Sequence, residues 1–390
     1  MADDKMKILQ RLEDGEITAD EALAMMNQIG KAAPPRDHGQ GQHQERQQQN
    51  QGNQPQGSTS DDWLGDVVGW VGDLVGDIAG GIRDMDVPGH VSDFLSGTYG
   101  HNRRTETFVS NPVSQSLAQL ELYGKNDKIE ILAYDGDCVR IECSYDARNV
   151  EDYVQFHEGN GCISLLFDEK AMRSVGVICQ VPRVHIGHIH AMTKNASVML
   201  GGATADSIHL ITKNANVYVE STKAKELVAE STNANIKAIG VSGGGILLKT
   251  TNAKVVVESI TADSLSITTT NGSIKAEALD VADIRMKTTN SSLKLENLLA
   301  GQNSDFWNGE RSLEAFTTNS GVRFNVPPGV GLSLDAKTTS SKVTCDIPLY
   351  ASENTKTRLV GESVNYAASA RRLRVVLGTT NASVKVREME

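Results

Sequence analysis

The sequence predicts an all-β chain wound as a parallel β-solenoid with coils of about 19 residues, preceded by a small helical hairpin and an amphipathic helix. Three observations carry this. First, Asn195, Asn214, Asn233, Asn252, Asn271 and Asn290 are each nineteen residues apart. A small residue follows each, and a Thr or Ser sits two before, from Thr193 to Thr288. A strict period of this length is the mark of stacked repeats. Second, apolar residues fall six and four before each Asn (Ile189 and Ala191, Ile208 and Leu210, through to Ile284 and Met286). That period of two means strands with one face inward. Third, after the Asn the inward positions shift by an odd number, to Val198, Val217, Ile236, Val255, Ile274 and Leu293. An odd shift turns the chain at the Asn, and Asn tolerates the left-handed backbone that a tight corner uses. Asn side chains stacked at about 4.8 Å can hydrogen-bond as a ladder. Right-handed winding is expected, as parallel crossovers prefer.

The elements follow in order. Residues 1–31 read as a helical hairpin. Met6, Leu9 and Leu12 line one face, Gly15 ends the first helix, and Thr18 with Glu21 makes a capping box for the second. Two short helices bury too little to stand alone, so the unit docks on its own chain or on a protein partner. Residues 32–60, rich in Gln, Gly, Asn and Pro, are a disordered linker that cannot build a core.

Residues 61–96 form an amphipathic pattern. Asp66, Asp73, Asp77 and Asp84 fall in one stripe, with Trp63, Val67, Trp70, Leu74 and Ile78 opposite. Gly65, Gly69, Gly72, Gly76, Gly80 and Gly81 weaken such a helix, so it needs its apolar face covered. Three readings stay open: a cap over a solenoid end, a membrane-surface helix, and self-association or a partner groove. The eight Asp against one Arg in this stretch count against anionic lipid.

The β-solenoid is assigned to residues 105–390. Its first part, to residue 180, alternates (Leu120, Leu122, Ile129, Ile131, Val139, Ile141) without the strict period, and Asp135-Gly136 reads as a hairpin turn. Beyond the strict repeat, Asn319 and Asn381 head further corners, and Ser340 stands in for Asn at another. Val181-Pro182 and Val326-Pro327 each lie fourteen before a corner, suggesting two related blocks. Insertions are read at 300–316, holding Phe306 and Trp307 as a candidate binding loop, and at 346–372.

The net charge of −11 argues against nucleic acid as a partner. Five cysteines without a pair motif read as reduced, mostly buried thiols. No signal peptide or spanning segment is evident, so the expected location is cytoplasmic, with membrane association through 61–96 and the cell surface left open. The best metal candidates are His188, His190 and His209, outward on adjacent coils. Solvated strand face is the stronger reading of them. No nucleophile motif, phosphate loop or cofactor motif is present, so no enzyme activity and no cofactor are expected.

The Thr-Thr-Asn-Ala/Gly/Ser-x-Val repeat with its Val-Pro rungs resembles the putative-adhesin family of β-strand-repeat proteins. The opening KMKILQRLEDGEITADEALAMMNQIG is similar to the short helical domain of YvlB/LiaX-type proteins of Gram-positive bacteria. The resemblance implies a link to cell-envelope stress and no carried-over catalytic residue. The leading reading is a non-enzymatic scaffold or sensor contacting membrane or protein through 1–31 and 61–96. A carbohydrate-binding solenoid and a self-assembling homo-oligomer are the alternatives.

Overall fold

The computed structural model describes residues 103–113, 115–296, 298 and 309–389. The expected hairpin (1–31), linker (32–60), amphipathic stretch (61–96, with Trp63, Val67, Trp70, Leu74 and Ile78) and the Phe306–Trp307 loop lie outside them.

Among the described residues the chain is all β. The first strands are β1 (Arg103–Val109), β2 (Ser116–Tyr123), β3 (Asn126–Tyr134), β4 (Arg140–Ala147), β5 (Gln155–Gly159), β6 (Cys162–Leu166), β7 (Met172–Pro182), β8 (His185–Met192) and β9 (Val198–Gly201). The periodic middle holds β10 (Thr204–Ile211), β11 (Val217–Glu220), β12 (Lys223–Glu230), β13 (Ile236–Ile239), β14 (Ser242–Lys249), β15 (Val255–Thr268), β16 (Ile274–Lys287) and β17 (Leu293–Glu296). The last strands are β18 (Gly309–Phe316), β19 (Val322–Val326), β20 (Gly331–Thr338), β21 (Val343–Cys345), β22 (Leu349–Asn354), β23 (Arg358–Ser363), β24 (Arg371–Thr379) and β25 (Val384–Glu388).

Each coil gives one strand to each of two faces. On the first face β2, β8, β10, β12 and β14 pair in parallel, then the C-terminal halves of β15 and β16, then β18, β24 and β20. On the second, β7, β3, β9, β11 and β13 are followed by the N-terminal halves of β15 and β16, then β17, β19, β25 and β21. In the middle every residue pairs with the one nineteen further on, as Ile208 does with Leu227. The predicted inward residues are all buried between the faces: Ile189, Leu210, Leu227, Ile236 and Leu265 are at most 1% exposed. Burying one such side chain contributes about 1.5–3 kcal/mol, so each coil is held by the pair above and below it.

Coil order departs from chain order at both ends. The β2/β3 coil sits between β6/β7 and β8/β9. The β24/β25 coil sits between β18/β19 and β20/β21. The two Val-Pro pairs fall where the chain skips a coil, after β7 and after β19. Proline has no N–H to give the ladder, which suits a strand end where pairing stops. Antiparallel strands cover the outermost coils. They are β5 on β6, β4 on β7 with β1 beyond it, and β23 on β20 with β22 beyond it.

Four expectations are corrected. The ladder asparagines from Asn195 onward do not take the left-handed conformation. Seven residues later Gly202, Ser221, Gly240, Ser259 and Ala278 do, with φ of 72°, 48°, 61°, 55° and 52°. The Asn corner bends more gradually, because one carbonyl of the preceding coil accepts two N–H groups: Lys194 O takes both Lys213 N and Asn214 N. Asp135-Gly136 does not join a hairpin, since β7 lies between β3 and β4. The first insertion is not 300–316: Gly309–Phe316 is strand β18, with Leu313 and Ala315 fully buried, so the extra residues fall between β17 and β18. The second insertion is no plain loop; it folds as the β22–β23 hairpin on the edge of β20.

Candidate functional site

The corner is the most ordered side-chain array. Asn195 Nδ2 donates to Asn126 Oδ1 at 2.5 Å. Asn214, Asn233, Asn252, Asn271, Asn290, Asn319 and Asn381 each donate to the preceding member at 2.6 or 2.7 Å. Behind them the buried Thr hydroxyls donate to the small residue of the coil before, as Thr250 Oγ1 does to Ala234 O at 3.1 Å. The amides and most of the hydroxyls of the corner are thus turned along the stack, which holds the coils in register.

Asn126 is a ladder member that the period misses. Its signal was the phase. Leu120 and Leu122 lie six and four before it, and Ile129 and Ile131 three and five after, all fully buried. Thr193 is absent from the hydroxyl file: its Oγ1 is buried without a partner, and in the coil before it the place of the small residue is held by Asp127.

The three histidines point outward from the first face. The His190 and His209 rings lie 5.9 Å apart, centroid to centroid, tilted by 50°. Tyr123 flanks His190 at 5.7 Å. His188 stands two residues along, opposite Gln119 and Ser207. The rings therefore run as a stacked file and do not converge on a point. Among the described residues no group of three or more His, Cys, Asp or Glu is arranged to hold a metal ion. Burial, and then the His209 ring beside it, hold the His190 imidazole below its ordinary value; Glu121, its register partner, pulls the other way. Its Nε2 is buried without a partner.

Beside this file Tyr123, Leu166, Phe167 and Met192 line an open groove of about 290 Å³, with Glu169 and Lys194 paired at its mouth. Asp206 is engaged on either side, by His185 at 3.2 Å and Lys225 at 2.7 Å. The cysteines are all free, but only Cys143 and Cys179 are buried; the other three are half-exposed, fewer than expected. Burial pushes the Cys143 thiol up to about 12, far from reactive thiolate.

The Toastrack DUF4097 pattern matches residues 117–376, from the start of β2 to the middle of β24. The chain belongs to this family. The Toastrack region therefore takes in the first coil-order exchange, the β5–β6 and β22–β23 hairpins and the first part of β24, while β1 and β25 lie outside it. Solved structures similar to the chain include a putative adhesin from Bacteroides fragilis, at 9% identity over 74% of this chain and 98% of that one, with a TM-score of 0.34. A putative lipid binding protein from Parabacteroides distasonis gives 10% identity over 74% and 98%, with a TM-score of 0.36. A putative cell adhesion protein from Clostridium sporogenes gives 8% over 74% and 100%, with a TM-score of 0.23. No curated protein matches the chain. No helix among the described residues is long and apolar enough to cross a membrane.

Proposed function

We propose that this Toastrack protein is a non-enzymatic binding scaffold of the cell envelope stress response, cytoplasmic and membrane-associated, whose rigid stack displays separate contact segments. The observation that carries the reading is the closure of the stack by its own strands. An open solenoid end exposes core and strand edges, and here β4, β5 and β23 are already laid over the outermost coils. The need for a cap is met within the described residues. The apolar residues Trp63, Val67, Trp70, Leu74 and Ile78 are then better explained by membrane or partner contact than by capping. The similarity of residues 1–31 to a helical domain of envelope-stress proteins supports the setting.

Co-flotation with liposomes tests this, using the full chain and a variant lacking residues 61–96. Flotation of the full chain alone is expected, with unchanged melting of the deletion variant. A deletion variant that melts markedly earlier and aggregates would return the segment to a capping role.

A further inference from the structure

On the second face, the second residue of each short strand points away from the core, and the register sets these residues side by side; Lys237 and Val256 are only 5% exposed, whereas Lys294 and Arg323 are exposed. From β13 onward the row reads Lys237, Val256, Lys275, Lys294, Arg323, Lys385. The last four are cations on four successive coils. Like charges directly opposite each other on paired strands are destabilising, so such a file in a chain of net charge −11 calls for an explanation.

Two residues along each strand runs a file of opposite sign: Glu258, Glu277 and Glu296. Lys275 pairs with Glu277 at 3.2 Å and Lys294 with Glu296 at 3.0 Å. The acidic file then stops. Asn325 and Arg387 occupy its next two places. Lys294, Arg323, Lys385 and Arg387, with Glu296 and Asn325, line a groove of about 350 Å³. Arg387 has only a long, exposed pair to Asp346 at 3.6 Å. Among the described residues Arg323 and Lys385 have no carboxylate within 4.0 Å. Lys254, the residue before β15, is held below its ordinary value by burial and then by the charges of Lys275 and Lys294.

We propose that this file binds a linear phosphate-bearing polyanion, laid along the coil axis across Lys275, Lys294, Arg323 and Lys385 with Arg387 at its end. The cations span roughly 14 Å at strand spacing, and the Arg323 fork suits bidentate contact with a phosphate. The site is one side chain wide. Glu258, Glu277 and Glu296 run beside it, so a broad anionic surface such as a membrane would meet carboxylates as well as cations. Tyr218 is the row's lone aromatic, three coils away from Lys275 on the far side of Lys237. Single-stranded nucleic acid uses aromatic stacking platforms, so a polymer without bases fits better. The site shares no residue with the segments given contact roles above, and either assignment can fail alone.

The test is binding of long-chain inorganic polyphosphate to the full chain, followed by calorimetry at rising salt. We expect binding that weakens steeply with salt, a loss of about tenfold or more in the double variant Arg323→Gln/Lys385→Gln, and tighter binding in Glu296→Gln, which releases Lys294. None of the three side chains is buried, and unchanged melting curves will show that the variants are folded. Equal binding by the double variant overturns the site. Three further results overturn the linear, base-free occupant: orthophosphate binding as tightly as the polymer, tighter binding of a single-stranded oligonucleotide, or co-flotation with anionic phosphatidylglycerol vesicles that the double variant loses.

Discussion

The middle of the stack and its two ends solve the same problem with different chain paths. From β8 to β17 each coil lies on the one made just before it, and local order and spatial order agree. At the C-terminal end the chain leaves a place open, builds β20/β21 beyond it and fills it with β24/β25; at the N-terminal end it makes β2/β3 first, adds β6/β7 on the outer side and returns to the inner side with β8/β9. Yet the corner continues unbroken through both regions: Asn126 joins Asn195 across 69 residues, and Asn381 joins Asn319 across 62. The constant of this fold is the corner chemistry, and the period is only its simplest expression. Exchanging the order at the ends has a clear advantage. A coil inserted between two others is paired on both sides, so the terminal segment β24–β25 is locked in and cannot fray as an exposed last coil.

The largest effects should separate the middle from the end hairpins. Leu265→Ala removes a side chain 1% exposed at mid-stack and is expected to cost about 3–5 kcal/mol by denaturant titration. Leu359→Ala, on β23 and 9% exposed, should cost about 2 kcal/mol. Equal costs would mean that the covering hairpin is as tightly packed as the stack itself.

Next come the left-handed corners. Ala278 holds a φ of 52° where Gly202 and Gly240 hold 72° and 61°. Ala278→Gly should therefore stabilise and Gly240→Ala destabilise, each by about 1 kcal/mol, read as opposite shifts in melting temperature. Shifts of the same sign would show that contacts of the added methyl outweigh backbone strain.

The ladder gives a smaller pair. Asn252→Ala removes one donated and one accepted amide bond, whereas Asn381→Ala removes one donated bond. These amides are exposed, so losses of about 1 and about 0.5 kcal/mol are expected. A larger effect at Asn381 would show that the inserted coil depends on its corner more than a coil in the middle does.

The smallest effect is one of pH. The folded His190 value lies below the ordinary 6.5, so the folded state binds fewer protons than the unfolded one. Its contribution to stability is present above about pH 6.5 and declines as pH falls through that value toward the folded one. His190→Gln should flatten the stability profile between about pH 7 and 5, as measured by melting temperature. An unchanged slope would assign the pH response elsewhere.

Much of the fold was legible in the residues. Inward positions six and four before each Asn, and three after, are the buried ones, because a strand face is a local property with a period of two. The amide ladder was legible too, since a fixed offset of nineteen puts identical side chains at strand spacing. The same phase pointed to Asn126, but Gly124 in place of the usual hydroxyl broke the motif while leaving the apolar frame intact. Left-handed residues were harder to see. Gly, Ser, Gly, Ser and Ala at 202, 221, 240, 259 and 278 share smallness but no motif, and their strain is set by how the second corner closes.

By itself the sequence determined the coil length, the inward faces, the polar corner and the composition that can fill thin coils. Tertiary structure alone decided which coil lies beside which at the ends, that the 346–372 insertion is a covering hairpin, and that Arg323 and Lys385 become neighbours although 62 residues apart. The reason is physical. Period and phase are written in contacts within one strand and one corner, whereas every coil offers nearly the same edge to any other. Choosing among equivalent edges depends on long-range packing, and the cation file exists only once that choice has been made.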